Sequence, residues 1–310
     1  MARKLRAAVA GAGVFGGYHA NKYKQAEAIE FVGIYDLEAA RAEAAAEAAG
    51  TQGFAGDQWD DFIGQLDVLT VAVPAFAHAG VVKKALGAGV HVYVEKPLAI
   101  SREDGQAVVA LAAEKGLVLA CGHQERAVFE AMGLYDVPER PVRLEAVRNG
   151  TASTRNLDVS VGLDLMIHDL DLGLTLAGRQ AEAVTATARY RQDEGYKAVG
   201  ADELRAEADF GGGFTAQFSA SRMAEARERT MRLVYPSGEV FIDMLNRKFE
   251  NHTPFALNPD FAEADIARDP LGTSVGRFLK AVRGEGRPLA TGDEALLALE
   301  LALRIDQAVL

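Results

Sequence analysis

Two short segments of the sequence contain residues that could move a proton and hold a negative charge. In Asp164-x-x-x-His168, an imidazole that titrates near neutral pH follows a carboxylate by four residues. In Glu95-Lys96-Pro97, the ammonium group could stabilise an alkoxide, and the proline restricts the lysine backbone to extended or turn geometry. Such groups suit oxidation of a carbinol carbon, because one takes the hydroxyl proton and the other stabilises the oxygen. The plainer interpretations are a surface Lys-Pro turn and a histidine paired with an aspartate on a helix surface.

The segment around His168 has the spacing of a helix with a polar stripe. At about 100° per residue, Asp164, His168 and Asp171 fall within about 60° of one another. Leucine and isoleucine residues border the stripe on both sides, which suits the lining of a cleft between domains better than an open surface. The pattern predicts general acid/base chemistry for His168, with Asp164 or Asp171 orienting its ring.

A glycine-rich turn near the start of the chain is typical of a dinucleotide site. The first apolar run leads into Gly11-x-Gly13-x-x-Gly16, which encloses Val14 and Phe15, and a helical pattern follows. Gly11 permits a tight turn, Gly13 lets the main chain approach a pyrophosphate, and Gly16 lets the helix pack on the sheet. A strand, glycines, a helix and a second strand in this order are more specific than a lone glycine motif.

The second predicted strand ends at Asp36, twenty residues after Gly16, and this carboxylate would accept hydrogen bonds from ribose hydroxyls. A carboxylate at this position repels the 2′-phosphate of NADP unless an arginine sits beside it. Arg41 could reach back, but Glu38 also precedes it, so NAD is the predicted cofactor and NADP is less favoured. No metal site is predicted, and His19 on the first helix is expected to be a packed residue.

The elements that carry these residues fall into two groups along the chain. Up to about Cys121, short apolar runs alternate with alanine-rich helical patterns, which is typical of βαβ units and a parallel sheet. The strands are predicted at 6–10, 30–35, 67–73, 91–95 and 117–121. The helices are predicted at 37–49, 79–86 and 102–115, the last capped by Ser101.

After Gly122 one helical stretch, 163–176, is accompanied by successive strand-like runs. They are predicted at 142–148, 183–191, 203–209, 214–221, 231–234 and 240–245, with turns at 211–213 and 236–238 and closing helices at 274–282 and 292–307. Consecutive strands indicate an open, mainly antiparallel sheet with a helix on one face. The predicted fold class is therefore α/β, with a nucleotide-binding doubly wound (Rossmann) domain at 1–122 and a substrate-binding and oligomerisation domain at 123–310.

Charge and cysteine content narrow the possible partners and location. The 310 residues carry a formal net charge of -11, which disfavours nucleic acid or an anionic membrane as a partner because phosphates would be repelled. The only cysteine, Cys121, excludes an intrachain disulfide and indicates a reducing compartment. A cytoplasmic protein with a small-molecule substrate is the expectation.

Taken together, the motifs resemble the glucose-fructose oxidoreductase, inositol dehydrogenase and MocA (Gfo/Idh/MocA) family over essentially the whole chain. The resemblance rests on the glycine loop, the Glu95-Lys96-Pro97 triplet and the Asp164-x-x-x-His168 pair. It implies a Rossmann domain, a C-terminal domain on an open sheet that commonly forms the oligomer contact, and activity on sugars, inositols or related compounds with NAD(P). A homo-oligomer, a dimer or tetramer, is therefore expected.

The resemblance also assigns roles to single residues. Lys96 matches the family's active-site lysine, and Asp164 and His168 match the pair that completes the proton-handling triad. Further positions correspond to segments near the cofactor, namely Val73, Pro74, His78 and Glu95. Substrate contacts are expected in the segment 122–126, through Gln124 and Arg126. Apart from the resemblance, the polar loop 149–161 lies just before the predicted helix, so Arg155 and Asn156 are either substrate contacts or part of an ordinary surface loop.

The predicted function is hydride transfer between NAD(P) and a carbinol carbon of a sugar, an inositol-like polyol or a sugar derivative. Two other functions stay open at this point. One is a glycoside hydrolase that uses tightly held NAD in a transient redox cycle. The other is a regulator that binds a dinucleotide without catalysis, which would make Lys96 and His168 incidental.

Overall fold

The computed structural model describes residues 3–152, 157–192 and 195–309. Contacts between residues divide the chain into two compact units. The first extends to Gly122 and includes Leu271–Asp293, whereas the second comprises His123–Pro270 and the residues from Glu294 onward. The second domain predicted from the sequence, 123–310, thus differs from this division in one returning segment.

The first unit contains a sheet of six parallel strands, which are β1 (Leu5–Ala10), β2 (Ile29–Asp36), β3 (Gln52–Ala55), β4 (Val68–Val71), β5 (His91–Val94) and β6 (Leu119–Cys121). Their order is β3-β2-β1-β4-β5-β6. Five of the six were predicted from apolar runs, with ends that agree within two residues. Strand β3 is missed because its four residues include a glycine and only one large apolar side chain, Phe54.

Up to Gly122 the helices of the first unit are α1 (Val14–Gln25), α2 (Ala39–Ala49), α3 (Trp59–Ile63), α4 (His78–Gly87) and α5 (Arg102–Lys115). The amide of Asp104 donates to Ser101 Oγ at 3.2 Å, which is the predicted cap of α5. Strands β1 and β4 are neighbours, but the chain leaves them toward opposite edges of the sheet. Their carboxyl ends therefore form the crevice where open α/β sheets bind ligands.

The second unit contains a seven-stranded sheet, made of β7 (Arg143–Asn149), β8 (Ala183–Arg189), β9 (Glu203–Asp209), β10 (Thr215–Ser221), β11 (Glu228–Tyr235), β12 (Gly238–Asp243) and β13 (Lys248–Asn251). The order is β13-β12-β11-β7-β10-β9-β8. Neighbours are antiparallel except β7 and β10, which are parallel. A parallel sheet in one unit and a mainly antiparallel sheet in the other confirm the predicted fold class.

The remaining helices are α6 (Glu125–Met132), α7 (Ile167–Ala177), α8 (Asp265–Arg268), α9 (Pro270–Val282) and α10 (Gly292–Gln307). A π-helical turn, Gly162–Met166, leads directly into α7, so the predicted helix 163–176 has two parts. Helix α7 lies close to the sheet, because a Cβ added at Gly173 would be 3.1 Å from the ring of Phe218. Every described helix is too short or too polar to span a lipid bilayer.

Helix α9 returns to the first unit because its apolar face completes that unit's core. Its buried residues Val275, Phe278 and Leu279 join the cluster built on the parallel sheet. The rings of Phe278 and Tyr93 lie 5.8 Å apart, and the Tyr93 hydroxyl is 3.0 Å from Ser274 Oγ. Helix periodicity predicts this apolar face but not which of two cores it covers, which is why the sequence placed it in the second domain.

Candidate active site

The glycine turn has the geometry that a dinucleotide site requires. Gly11 has φ +108°, and a Cβ added there would lie 2.4 Å from the carbonyl oxygen of Ala72, in the loop after β4. A Cβ at Gly16 would lie 1.9 Å from the Gly11 carbonyl oxygen, so α1 can approach the turn only with glycine. At Gly13 an added Cβ would have no protein atom within 4 Å, as expected of a main chain that faces a ligand. These residues fit a pyrophosphate at the amino end of α1.

Asp36, at the end of β2, holds this turn in place. Its carboxylate accepts hydrogen bonds from the amides of Ala12 at 2.9 Å and Glu38 at 3.0 Å. The guanidinium of Arg41 donates to the same carboxylate at 2.9 Å and lies 3.5 Å from Glu38 Oε1. Burial alone would raise the pKa of Asp36, but these hydrogen bonds lower it below its usual value, so the group is ionised at neutral pH.

The predicted residues Val14 and Phe15 begin α1, with 52% and 40% of their surface exposed. Val73 and Pro74 follow β4 at the neighbouring strand end. His78 is buried under that loop, with Nε2 2.9 Å from the Val73 carbonyl oxygen and Nδ1 2.6 Å from that of Pro97. His78 therefore connects the loops that follow β4 and β5.

Glu95 and Lys96 follow β5 at the same edge of the sheet. Glu95 is buried, and its Oε1 is 2.7 Å from Nε2 of His19, which is fully buried. Burial would raise the pKa of Glu95, but His19 and Lys96 lower it, so the carboxylate stays charged. Glu95 is thus mainly an internal partner of His19, as expected for a packed histidine, while Lys96 is partly buried.

In the second unit, the His168 ring contacts a carboxylate that the sequence did not single out as its partner. His168 Nδ1 is in direct contact with Oε2 of Glu125, the first residue of α6. Of the two predicted orienting groups, Asp171 pairs with Arg126, and Asp164 lies in the π-helical turn that leads into α7. Glu125 lies in the segment 122–126 that was expected to contact the substrate, but its pairing with His168 was missed because no residue pattern indicates that α6 lies beside α7.

Glu125 belongs to a buried network of charges behind His168. Its Oε1 accepts a hydrogen bond from Arg148 Nη1 at 2.9 Å. Arg148, only 2% exposed on β7, also forms two hydrogen bonds with Asp169, at 2.9 and 2.8 Å. Burial would raise the pKa of Glu125, but Arg148 and His168 hold it well below its ordinary value. An ionised carboxylate therefore faces His168 and stabilises the imidazolium that forms when the ring takes a proton.

Asp171 and Arg126, both predicted to belong to the site, pair with each other. Arg126 donates to Asp171 through two hydrogen bonds, at 2.7 and 2.6 Å, and its Nη1 is 2.8 Å from Glu294. Both members of the pair are at least 95% buried. Arg126 thus joins α6, α7 and α10, and its contact with a substrate stays a prediction. Gln124 precedes α6 and is partly buried, and the predicted substrate residues Arg155 and Asn156 lie outside the described residues.

His123 lies beside this pair and adds a pH-dependent element to the second unit. Its ring is 2% exposed, and Nδ1 is 3.7 Å from Asp171. Burial lowers the pKa of His123 to about 4. The positive charges of Arg126 and His168 lower this pKa further, and the carboxylates of Asp171 and Glu125 partly offset the decrease. The unfolded chain, with an ordinary histidine pKa of 6.5, then binds the proton more readily than the folded protein between those two values.

We expect acid to lower the free energy of unfolding between pH 6.5 and pH 4, with His123 contributing about 3 kcal/mol of the loss. In His123→Leu this contribution disappears, so the slope of stability against pH in that window becomes smaller. His252→Leu is the control, because His252 is exposed. Urea unfolding at half-unit steps of pH measures the free energy of unfolding of wild type and of both variants. Equal slopes in His123→Leu and wild type would contradict the assignment of this pH dependence to His123.

Comparison with known proteins places this geometry in a family. Residues 5–123 match the family described as "Oxidoreductase family, NAD-binding Rossmann fold", and residues 138–241 match its "GFO/IDH/MocA C-terminal domain". The chain belongs to the GFO/IDH/MocA family. The family and oxidoreductase class predicted from the sequence are thereby confirmed.

Two curated relatives in this GFO/IDH/MocA family match nearly the full chain. UDP-N-acetylglucosamine 3-dehydrogenase of Acidithiobacillus ferrooxidans is 31% identical, over 98% of this chain and 97% of the relative. The scyllo-inositol 2-dehydrogenase (NAD+) of Bacillus subtilis is 24% identical, over 98% and 93%. A solved structure of the A. ferrooxidans enzyme superposes with a TM-score of 0.89 over 99% of this chain and 98% of that chain. These are dehydrogenases of sugars and inositols, which is the predicted class of activity.

Proposed function

We propose that this protein is an NAD-dependent dehydrogenase that oxidises a carbinol group of a sugar, a sugar derivative or an inositol-like polyol. The observation that carries the proposal is the contact between His168 and Glu125, because it turns a helix histidine into a base with a charged partner. A protein that only binds a dinucleotide has no need of this arrangement. The dinucleotide motif and the relatives' names support the same class of reaction.

Three residues of the chain have separate roles in the proposed reaction. Since Nδ1 of His168 faces Glu125, the ring takes the substrate hydroxyl proton at Nε2. The role proposed for Lys96 is to stabilise negative charge that develops on a substrate oxygen, and that proposed for Asp164, in the turn before α7, is to belong to the proton-handling set. The bound nicotinamide supplies the acceptor for the hydride. Reduction of a ketone uses the same groups in reverse.

The choice of NAD over NADP follows from the surroundings of Asp36. Its ionised carboxylate would repel a 2′-phosphate. Arg41, the one cation predicted to offset that repulsion, is already paired with Asp36 and lies beside Glu38, so two carboxylates share its charge. Val73, Pro74 and the glycine turn at the neighbouring strand ends complete the proposed cofactor site.

The function is tested by following NADH formation with UDP-N-acetylglucosamine, scyllo-inositol, myo-inositol and free hexoses, each with NAD and with NADP. We expect turnover of at least one compound, with kcat/KM for NAD exceeding that for NADP by at least about tenfold. Asp36→Ala should reduce that preference, whereas Asp57→Ala, which replaces an acid elsewhere in the unit, should not. Glycoside cleavage without net NADH, or dinucleotide binding without any turnover, would contradict the proposal.

A homo-oligomer formed through the seven-stranded sheet is part of the same proposal. The face opposite α7 carries polar side chains such as Thr185, Glu207 and Gln217, which would pair across a symmetric contact rather than bury an apolar core. A cytoplasmic location is proposed from the single cysteine, Cys121, which is buried and has no disulfide.

A further inference from the structure

An arginine that takes no part in the network described above stands directly beside it. Arg229 lies on β11, in register with Arg148 on β7. Residues opposite each other in an antiparallel pair project from the same face of a sheet, so both guanidinium groups lie on the face that α7 covers. On β11 this is the face of the buried residues Met231, Leu233 and Tyr235. Arg229 is therefore a charged side chain at the end of a row of core positions.

The two neighbouring arginines have different partners. Arg148 is bound by Asp169 and Glu125. The guanidinium of Arg229, although partly buried, makes no hydrogen bond or ion pair with any other side chain in the described part of the chain. A guanidinium has five donors and is costly to remove from water without an acceptor. The Arg229 guanidinium therefore has donors for an anion that the described residues do not supply.

The local charge is positive, although the chain as a whole is acidic. The charges felt by Arg229 are those of Arg148 and Arg227 on one side and Glu125 and Asp169 on the other. Both carboxylates are already paired, and three guanidinium groups stand against two carboxylates. Burial and the field of Arg148 lower the pKa of Arg229, which is the direction expected where a further negative charge would be favourable.

We infer that Arg229 binds a negatively charged group of the substrate, so that this enzyme acts on anionic sugar derivatives, those carrying a phosphate or a carboxylate. The inference rests on the proposed function, since Glu125 connects the two sites: it contacts His168 on one side and the Arg148 partner of Arg229 on the other. An anion held here would place the rest of the sugar beside the base. Arg227, exposed just before β11, provides a second cation whose charge acts on Arg229.

Direct binding tests this without depending on turnover. Calorimetry with wild type in the presence of NAD uses pyrophosphate, glucuronate, UDP-N-acetylglucosamine and the uncharged myo-inositol as probes. Loss of one charge-assisted pair should weaken binding of the anionic probes to Arg229→Gln by about 10- to 100-fold, with NAD affinity unchanged. Arg229→Lys should fall between the two, because it keeps the charge and loses the planar fork.

The matched control is Arg232→Gln. Arg232 lies on the same strand but on the opposite face, where it pairs with Glu239, and this variant should bind like wild type. An effect confined to the phosphate probes assigns the site to a nucleotide diphosphate or sugar phosphate, and one confined to glucuronate assigns it to a sugar acid. Wild type that binds no anion, or an Arg229→Gln variant that binds anions as wild type does, overturns the inference. Anion binding without turnover of any sugar would leave the inference standing and contradict the proposed function instead.

Discussion

Replacing His168 with asparagine is expected to lower the rate of hydride transfer by about 10²- to 10⁴-fold, because no other group then takes the hydroxyl proton. Lys96→Met is expected to lower it by a similar factor, through loss of the charge that stabilises the developing oxyanion. The affinity for NAD should not change in His168→Asn, since the glycine turn and Asp36 lie in the other compact unit. The measurements are single-turnover NADH formation with a proven substrate and NAD binding by fluorescence.

His252→Asn is the control for the general effect of a histidine-to-asparagine substitution, because His252 is exposed and lies far along the chain from the buried charges behind His168. Rates within about threefold of wild type in both His168→Asn and Lys96→Met would remove these residues from the chemistry. A large loss in Lys96→Met alone would instead mean that water or another residue takes the proton. The two variants therefore test the two halves of the proposed mechanism separately.

The nucleotide-binding half of the chain could be predicted from its sequence because local signals determine most of it. Glycines with a required spacing mark the turn at Gly11, and continuous apolar runs mark the buried parallel strands. Asp36 was also predicted, but for a partner outside the protein. Its hydrogen bond with the Ala12 amide was not predicted, because residue types do not indicate which way a main-chain amide points after a turn.

In the second half of the chain, the partners of the site residues could not be predicted from the sequence. His168 was predicted from its spacing to Asp164, but its contact with Glu125, more than forty residues earlier in the chain, was not predicted. Assigning that partner requires knowing that α6 lies beside α7, which is a tertiary contact with no periodic signature. Arg148 and Arg126 illustrate the same limit. Arginine is usually exposed, so a sequence alone favours surface or substrate-binding roles for both, whereas each is buried between carboxylates.

Substituting Arg148 with methionine is expected to lower the free energy of unfolding by about 3–5 kcal/mol, because it leaves Asp169 and Glu125 without their shared cation in a buried setting. The matched control is Arg143→Met, on the same strand. Arg143 is exposed and pairs with Glu145 at 2.8 Å, so its loss should cost no more than about 1 kcal/mol. Urea unfolding followed by far-ultraviolet circular dichroism compares the two variants with wild type.

The pH dependence and a second substitution distinguish lost charge compensation from lost packing. The lowered pKa of Glu125 means that its contribution to wild-type stability is present above the ordinary value of 4.5 and is lost as the pH falls through the folded-state value. The difference in the free energy of unfolding between wild type and Arg148→Met should therefore become smaller below about pH 4.5. Adding Asp169→Leu to Arg148→Met should recover part of the stability, because one uncompensated charge is removed. A gap that stays constant with pH, together with no recovery in the double variant, would mean that Arg148 contributes through the packing of its side chain and not through its charge.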